Sequence, residues 1–230
     1  GGGAKLFGVS NGEGRVSSPD VGGLFGMKGE LYRKDALVVW AARRLQKPVF
    51  WAADRGESFL SDEHARAVSG TASLGLDKDG NFTALWVDAR IDAGAYLSRR
   101  TKGLLNNMGG VAGQYKTPTI ATQMSFFFTN TMQTSPYRGF GRPEATYVIE
   151  RLIDQAARET GRDALALRQK NLVSPDAMPY QTALTFLYDC GDFPRIVAAA
   201  AKNADYAGFS ARRKESESRG LLRGIGIANP

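Results

Sequence analysis

The strongest periodicity in the chain follows Glu144. Ala145, Val148, Ile149, Leu152, Ile153, Ala156 and Ala157 recur at i, i+3, i+4 and i+7 and predict a helix with one broad apolar face. Gly161 suits the left-handed position that closes such a helix. Upstream, Leu37, Trp40, Ala41 and Leu45 repeat at helical spacing within Lys34 to Leu45, and Pro48 stops the run. Arg43, Arg44 and Lys47 gather near its C-terminal end, where the macrodipole favours cations. From Val68 the period changes to two. Val68, Gly70, Ala72, Leu74 and Leu76 alternate, Asp77-Lys78-Asp79-Gly80 forms a turn, and Phe82 to Ile91 returns as the second strand of a hairpin. Gly103 to Gly113 reads as a glycine- and asparagine-rich loop, and Ile120 to Thr131 as a strand whose Phe126-Phe127-Phe128 run suits a sheet interior. A short strand is expected over Arg15 to Ser18, leading into a glycine-rich turn, Pro19 to Gly26. Asp163 can cap a helix over Leu165 to Lys170, and Asp192 with Pro194 opens another bearing Phe193, Ile196, Val197, Ala200 and Ala201. Helices mix with meandering strands without βαβ regularity, so the expected fold class is α+β, with a sub-boundary near 172–192.

Composition narrows the chemistry. At 230 residues and 43% hydrophobic content, the chain can bury one large core or two small ones. Its 30 Lys and Arg against 23 Asp and Glu give +7, which favours anionic partners. No run of basic residues interleaves with aromatics in a nucleic-acid pattern, so nucleic acid is not an expected partner. The densest cluster, Arg212-Arg213-Lys214, is followed by Glu215 and Glu217 and reads as a solvated, mobile surface segment. Cys190 is the only cysteine, which excludes an intramolecular disulfide and a thiolate cluster, and it is expected to be a buried or half-buried thiol. His64 is the only histidine and lies in a polar stretch, Ser61-Asp62-Glu63-His64, expected to be an exposed loop. No run approaches the roughly twenty apolar residues of a membrane span, so no membrane partner is expected. The opening Gly1-Gly2-Gly3 and the closing strand-like run Gly224 to Pro230 read as cuts through a longer protein.

Two loops carry the candidate chemistry: Val21-Gly22-Gly23-Leu24-Phe25-Gly26-Met27-Lys28 and Tyr137-Arg138-Gly139-Phe140-Gly141-Arg142-Pro143-Glu144. In each, glycines let backbone N–H groups approach a ligand closely, and an aromatic residue sits in an otherwise flexible turn. The second loop feeds straight into the long helix, whose N-terminal N–H groups suit an anionic ligand. Neither loop has the spacing of a dinucleotide fingerprint or a Walker A motif.

Pro19 to Lys28 resembles the "PDVGGGFGxK" segment of molybdenum hydroxylase large subunits, the family of xanthine dehydrogenase, aldehyde oxidase and aerobic carbon monoxide dehydrogenase. Tyr137 to Ala145 is similar to that family's "(F/Y)RGxGxP(E/Q)A" segment. Lys47-Pro48-Val49, Asp54-Arg55-Gly56-Glu57, Asp92 to Tyr96, Gln114 to Pro118, Thr129-Asn130-Thr131, Glu150-Arg151 and Leu167 to Leu172 fall in the family's order, so the likeness covers nearly the whole chain.

The resemblance implies a molybdopterin-binding α+β fold and hydroxylation of an aldehyde or N-heterocycle with water as oxygen source. Molybdenum would be carried by a pterin dithiolene, as the cytosine dinucleotide. Gly23, Phe25, Gly26, Arg138 and Gly139 would bind the cofactor, with Phe25 and Arg138 nearest the metal and the ring of Phe140 facing the substrate or, alternatively, anchoring the core beneath the loop. An FAD-binding medium subunit and a 2Fe-2S small subunit would complete a dimer of heterotrimers in the cytoplasm. The family's general-base glutamate belongs to a "GxGE" segment with no counterpart here, so no catalytic residue is assigned, and Glu30 and Glu144 are expected to be solvated surface carboxylates. Leu24 stands where the first motif usually has glycine, and Gly139 where the carbon-monoxide-oxidising branch carries its copper-binding cysteine. Gly94-Ala95-Tyr96 and Arg142 to Tyr147 nevertheless look closer to that branch than to animal xanthine oxidases. A non-catalytic basic binding module or an inactive scaffold fragment remains the alternative.

Overall fold

The computed structural model describes residues 2–10, 12–98, 101 and 103–230. Its contacts divide the chain into two compact units, Gly1–Ala67 with Asp92–Lys102 and Phe127–Gly139, and Val68–Ile91 with Gly103–Phe126 and Phe140–Pro230. Helices mix with a three-stranded and a two-stranded sheet, as the α+β class requires.

The second unit holds the main core. Strand β1 (Val68–Leu76) pairs antiparallel with β2 (Phe82–Gly94) from Val68↔Ile91 to Leu76↔Phe82, with a register slip between Gly75 and Leu76. Strand β3 (Thr119–Phe128) lies on the far side of β2, giving the order β1-β2-β3. One face of β2 presents Phe82, Leu85, Val87 and Ala89 to a cluster that includes Ala145, Ile149, Ile153 and Ala157 of the long helix. Those four belong to the apolar stripe read from the sequence, and its other members, Val148, Leu152 and Ala156, pack half-buried against the cluster. They bury because the 3.6-residue repeat keeps them on one side of the helix.

The elements that the pattern predicted most clearly form with the signals that announced them. Helix α2 (Arg33–Leu45) covers the expected run in the first unit. Helix α5 (Arg142–Thr160) ends at Gly161, φ 66°. Asp163 caps α6 (Ala164–Asn171) by accepting from Ala166 N at 2.8 Å, and Asp192 caps α7 (Phe193–Asn203) by accepting from Arg195 N at 3.1 Å. The first unit also contains the short helices α1 (Gly2–Phe7) and α3 (Arg55–Ser61). In α3, Asp54 and Glu57 cap each other's backbone N–H at 2.8 and 3.0 Å.

Other expectations are corrected. Arg15 to Ser18 forms no strand. Val16 is 99% exposed, and an extended segment with no partner has no ladder to hold it. Gly103 to Gly113 is not a loop but helix α4 (Gly103–Met108) and a 3-10 turn (Gly109–Ala112), anchored by buried Met108 and Val111. Its glycines serve close packing: a Cβ on Gly109 would meet Thr185 Oγ1 at 2.3 Å. The Phe126-Phe127-Phe128 run lies on the outer strand of the sheet, where Phe128 is 68% exposed. Arg212 to Lys214 belong to helix α8 (Phe209–Ser218), laced by Arg213–Glu217 at 3.0 Å and by an Arg212–Asp205 ion pair. Residues 224–230 adopt no strand; hydrogen bonds from Asn229 Nδ2 to Tyr115 Oη and from Arg168 Nη2 to the Ile227 carbonyl fasten the segment. Cys190 is exposed rather than buried.

Candidate functional site

The first glycine loop is built of successive tight turns, Met27 N donating to Leu24 O at 3.1 Å and Gly29 N to Gly26 O at 3.2 Å. Gly23 and Gly26 take φ of 130° and 111°, and Phe25 itself takes 50°, a conformation non-glycine residues seldom adopt. Such strain collects where a chain must present backbone to a ligand. The loop is fastened from behind by Tyr32, whose hydroxyl donates to Met27 O at 2.9 Å and accepts from Glu63 N at 3.3 Å. Burial, followed by the nearby carboxylates of Glu63, Asp62 and Asp35, pushes this phenol up to about 12.

The second loop starts from a backbone ladder. His64 bridges to Thr134 in parallel fashion, with His64 N donating to Gln133 O at 3.3 Å and Ser135 N donating to His64 O at 2.9 Å. His64 is therefore half-buried and hydrogen-bonded through its backbone, not part of an exposed loop. Thr134 also donates through Oγ1 to Asp92 O at 2.8 Å, and the Asp92 carboxylate accepts from Gly94 N at 2.7 Å and from the hydroxyls of Thr129 and Thr131. The Thr129 hydroxyl, aided by the Gly94 N–H and the Thr131 hydroxyl, holds the Asp92 carboxyl below the usual range.

Within this unit the two loops meet. The Phe25 and Tyr137 rings lie 5.9 Å apart at 37°, and a Cβ built on Gly26 would sit 3.0 Å from the Pro136 carbonyl. Met27, Pro136 and Tyr137 line one cavity of about 480 Å³ with Phe59, Asp62 and His64. In its wall, Asp62 Oδ2 and His64 Nδ1 are buried without a hydrogen-bond partner, although Lys34 pairs with the other oxygen of Asp62. Buried polar atoms left in that condition suit a ligand that supplies donors. Arg138 and Gly139 follow directly and are exposed, Gly139 at φ 92°.

Phe140 and Gly141 belong to the other unit. The half-buried Phe140, φ 45°, packs on Gly103 so tightly that a Cβ there would lie 2.0 Å from its Cζ. Gly141, φ 93°, precedes α5 and provides no side-chain cap. Glu30 and Glu144 are half-buried rather than fully solvated, and each has an interaction partner. Tyr32, Asp62 and Asp92 carry no motif and were not legible as parts of the site; only the Asp92-to-Tyr96 likeness pointed at one of them.

A molybdenum–pterin group fits the donor set. The loops offer backbone and glycine surface, and the cavity beside them has the buried, unpartnered Asp62 Oδ2 and His64 Nδ1 in its wall, which suits a polar group that carries its own metal ligands. Comparison with known proteins agrees: the molybdopterin cofactor-binding domain family matches residues 3–172, and the chain belongs to that family. It is 29% identical over 97% of its length to the 6-hydroxypseudooxynicotine dehydrogenase complex subunit gamma of Paenarthrobacter nicotinovorans, covering 29% of that protein. Reconstituted CO dehydrogenase from Oligotropha carboxidovorans superposes with a TM-score of 0.87 at 29% identity, over 94% of this chain and 28% of that one. Quinoline 2-oxidoreductase from Pseudomonas putida 86 does so with a TM-score of 0.82 at 32% identity, over 88% of this chain and 26% of that one. The chain thus spans under a third of the length of these relatives. Among the described residues, no helix is long and apolar enough to cross a membrane.

Proposed function

We propose that this chain forms one wall of the molybdopterin site in a larger oxidoreductase subunit that hydroxylates an aldehyde or N-heterocycle with water as oxygen source. The observation that carries the reading is the meeting of the two glycine loops in one compact unit, Phe25 against Tyr137 and Gly26 against Pro136. When bound, the molybdenum–pterin group supplies the two-electron redox chemistry. This chain binds and orients it: Gly23, Gly26 and Gly139 give the turns the positive φ that shapes them, and Phe25 and Arg138 flank the metal end with their backbones. Phe140, braced on Gly103, offers a ring to a flat substrate and excludes water. The base that activates water is assigned to the remainder of the subunit. The cofactor is read as the cytosine dinucleotide, with an FAD-binding medium subunit and a 2Fe-2S small subunit as partners, in a cytoplasmic dimer of heterotrimers. Gly139 carries no thiol, which favours an aldehyde or heterocycle over copper-dependent oxidation of carbon monoxide. Metal and pterin analysis of the full subunit, purified with its partners under cofactor-sufficient expression, should return about one molybdenum and one pterin per subunit. Their absence overturns the reading.

A further inference from the structure

Arg66 stands outside both glycine motifs, yet its side chain reaches the second of them and, through it, the first. Its Nη2 donates to the Arg138 carbonyl at 2.7 Å, and its guanidinium carbon lies 5.1 Å from the centre of the Tyr137 ring. The same Tyr137 ring meets Phe25 at 5.9 Å. One side chain therefore grips the backbone of the residue proposed to flank the metal and braces the aromatic contact between the loops. The delivery of that side chain is built in. The backbone of His64 is zipped to Gln133 and Ser135, and two residues later Arg66 turns into the left-handed region at φ 67°. A non-glycine residue in that conformation is disfavoured locally and persists where surrounding contacts hold it.

We infer that Arg66 is a positioning residue, a clamp that fixes the Arg138 carbonyl and the Tyr137 ring so that both loops keep the spacing the cofactor needs. The inference rests on the function proposed above, and its direct readout is independent of it. A planar guanidinium can donate to a carbonyl while lying over an aromatic face; an ammonium on a flexible stem cannot reproduce both contacts. Displacement of a positioned group by about 1 Å can cost on the order of a hundredfold in rate.

The test compares three variants of the full subunit in its complex. Arg66→Lys keeps the charge and the backbone conformational demand. Arg66→Gly removes the side chain and relieves the positive φ, so its fold need not suffer. Arg162→Ala is the control, because Arg162 Nη2 makes a similar 2.7 Å bond to a carbonyl, that of Lys78, in the other unit. Amide hydrogen exchange at Gly23–Gly26 and Tyr137–Gly139 is the primary readout. Arg66→Gly is expected to speed exchange in both loops about tenfold or more, Arg66→Lys in the second loop, and Arg162→Ala in neither. Molybdenum content and kcat/KM should fall about ten- to hundredfold for Arg66→Gly, mostly in kcat, with the melting temperature near that of the unaltered subunit. Unchanged exchange in both loops for Arg66→Gly overturns the clamp whether or not the protein carries molybdenum. A loss of kcat explained by an equal loss of folded protein overturns it as well. Absence of molybdenum from the unaltered subunit strikes the function proposed above and is read separately from the exchange.

Discussion

The unit built on β1, β2 and α5 buries Phe82, Leu85, Val87, Ile91, Met108, Tyr115, Ile149, Ile153 and Leu167, among others, behind a continuous apolar interface. In the unit carrying the loops, the buried described residues are Ala93, Gly94, Pro136 and a set of polar side chains, Asp62, Ser98, Thr101, Thr134 and Ser135. Large apolar residues there, Trp40, Phe50, Phe59 and Leu60, are exposed. One unit adds a large area removed from water to its directed contacts, and the other has directed contacts with little buried apolar area beside them. Burial is non-directional and tolerates imprecision, whereas hydrogen bonds and ring contacts fix individual atoms. The first loop and the Tyr137–Gly139 part of the second, which must present backbone at defined positions, sit in the unit whose order is of the second kind.

The sharpest way to break that contrast is to attack the Arg168–Glu150 cluster, one of the buried polar groups within the unit that holds the apolar core. Arg168 is 0% exposed and donates to Glu150 Oε2 at 2.8 Å, Asp154 Oδ1 at 2.8 Å and the Glu150 and Ile227 carbonyls at 3.1 and 3.2 Å. Tyr115 donates to the other Glu150 oxygen at 2.6 Å, and burial with that carboxylate drives the phenol's pKa far upward. Arg168→Ala leaves Glu150 buried and half-paired, so it should cost about 3–5 kcal/mol in urea unfolding. A loss below about 1 kcal/mol would show that the network adds little to a core already closed by its aliphatic residues.

A backbone contact in the loop-bearing unit comes next. Gly94 has φ 74°, and a Cβ on it would lie 2.1 Å from the Met132 carbonyl. Gly94→Ala therefore combines a left-handed residue with an overpacked contact and should cost about 2–4 kcal/mol. Hydrogen exchange is expected to rise in Thr131–Ser135 and Asp92–Ala95 while the α5 amides stay protected. Equal loosening of α5 would mean that the two units unfold as one cooperative body and that the contrast has no thermodynamic content.

The uneven legibility of the sequence follows from the same physics. Periodicity reports on burial, so α5, α2 and the β1–β2 hairpin could be read from spacing, and caps such as Asp163 and Asp192 from local chemistry. It misled where tertiary contacts decide. Gly103 to Gly113 has a loop's composition but winds into helix because Met108 and Val111 have a core to enter. Phe126 to Phe128 reads as interior, yet a strand's place in the sheet depends on partners its own sequence does not name. The glycine loops were legible because close backbone approach demands glycine at fixed positions. Tyr32, Asp92 and Arg66 were not, since a side chain that supports a loop from outside its motif leaves no spacing signature.

The smallest effect isolates one directed contact, the Tyr32 hydroxyl on Met27 O. Tyr32→Phe keeps the ring and removes the donor, so the expected loss near neutral pH is about 0.5–1.5 kcal/mol. Its pH dependence is more telling. The folded phenol titrates at about 12, against about 10 for an ordinary tyrosine. With the folded value raised, the contribution is complete below pH 10 and is lost as the pH climbs through 12, because the unfolded chain gives up its proton first. Tyr115 is also shifted upward, so both proteins should weaken in alkali. The gap between them is what belongs to Tyr32: constant below pH 10, then closing by pH 12. Unfolding free energies measured in steps from pH 8 to 12 give this directly. A gap that stays constant throughout would place the Tyr32 proton in solvent and release the first loop from its fastening to Glu63.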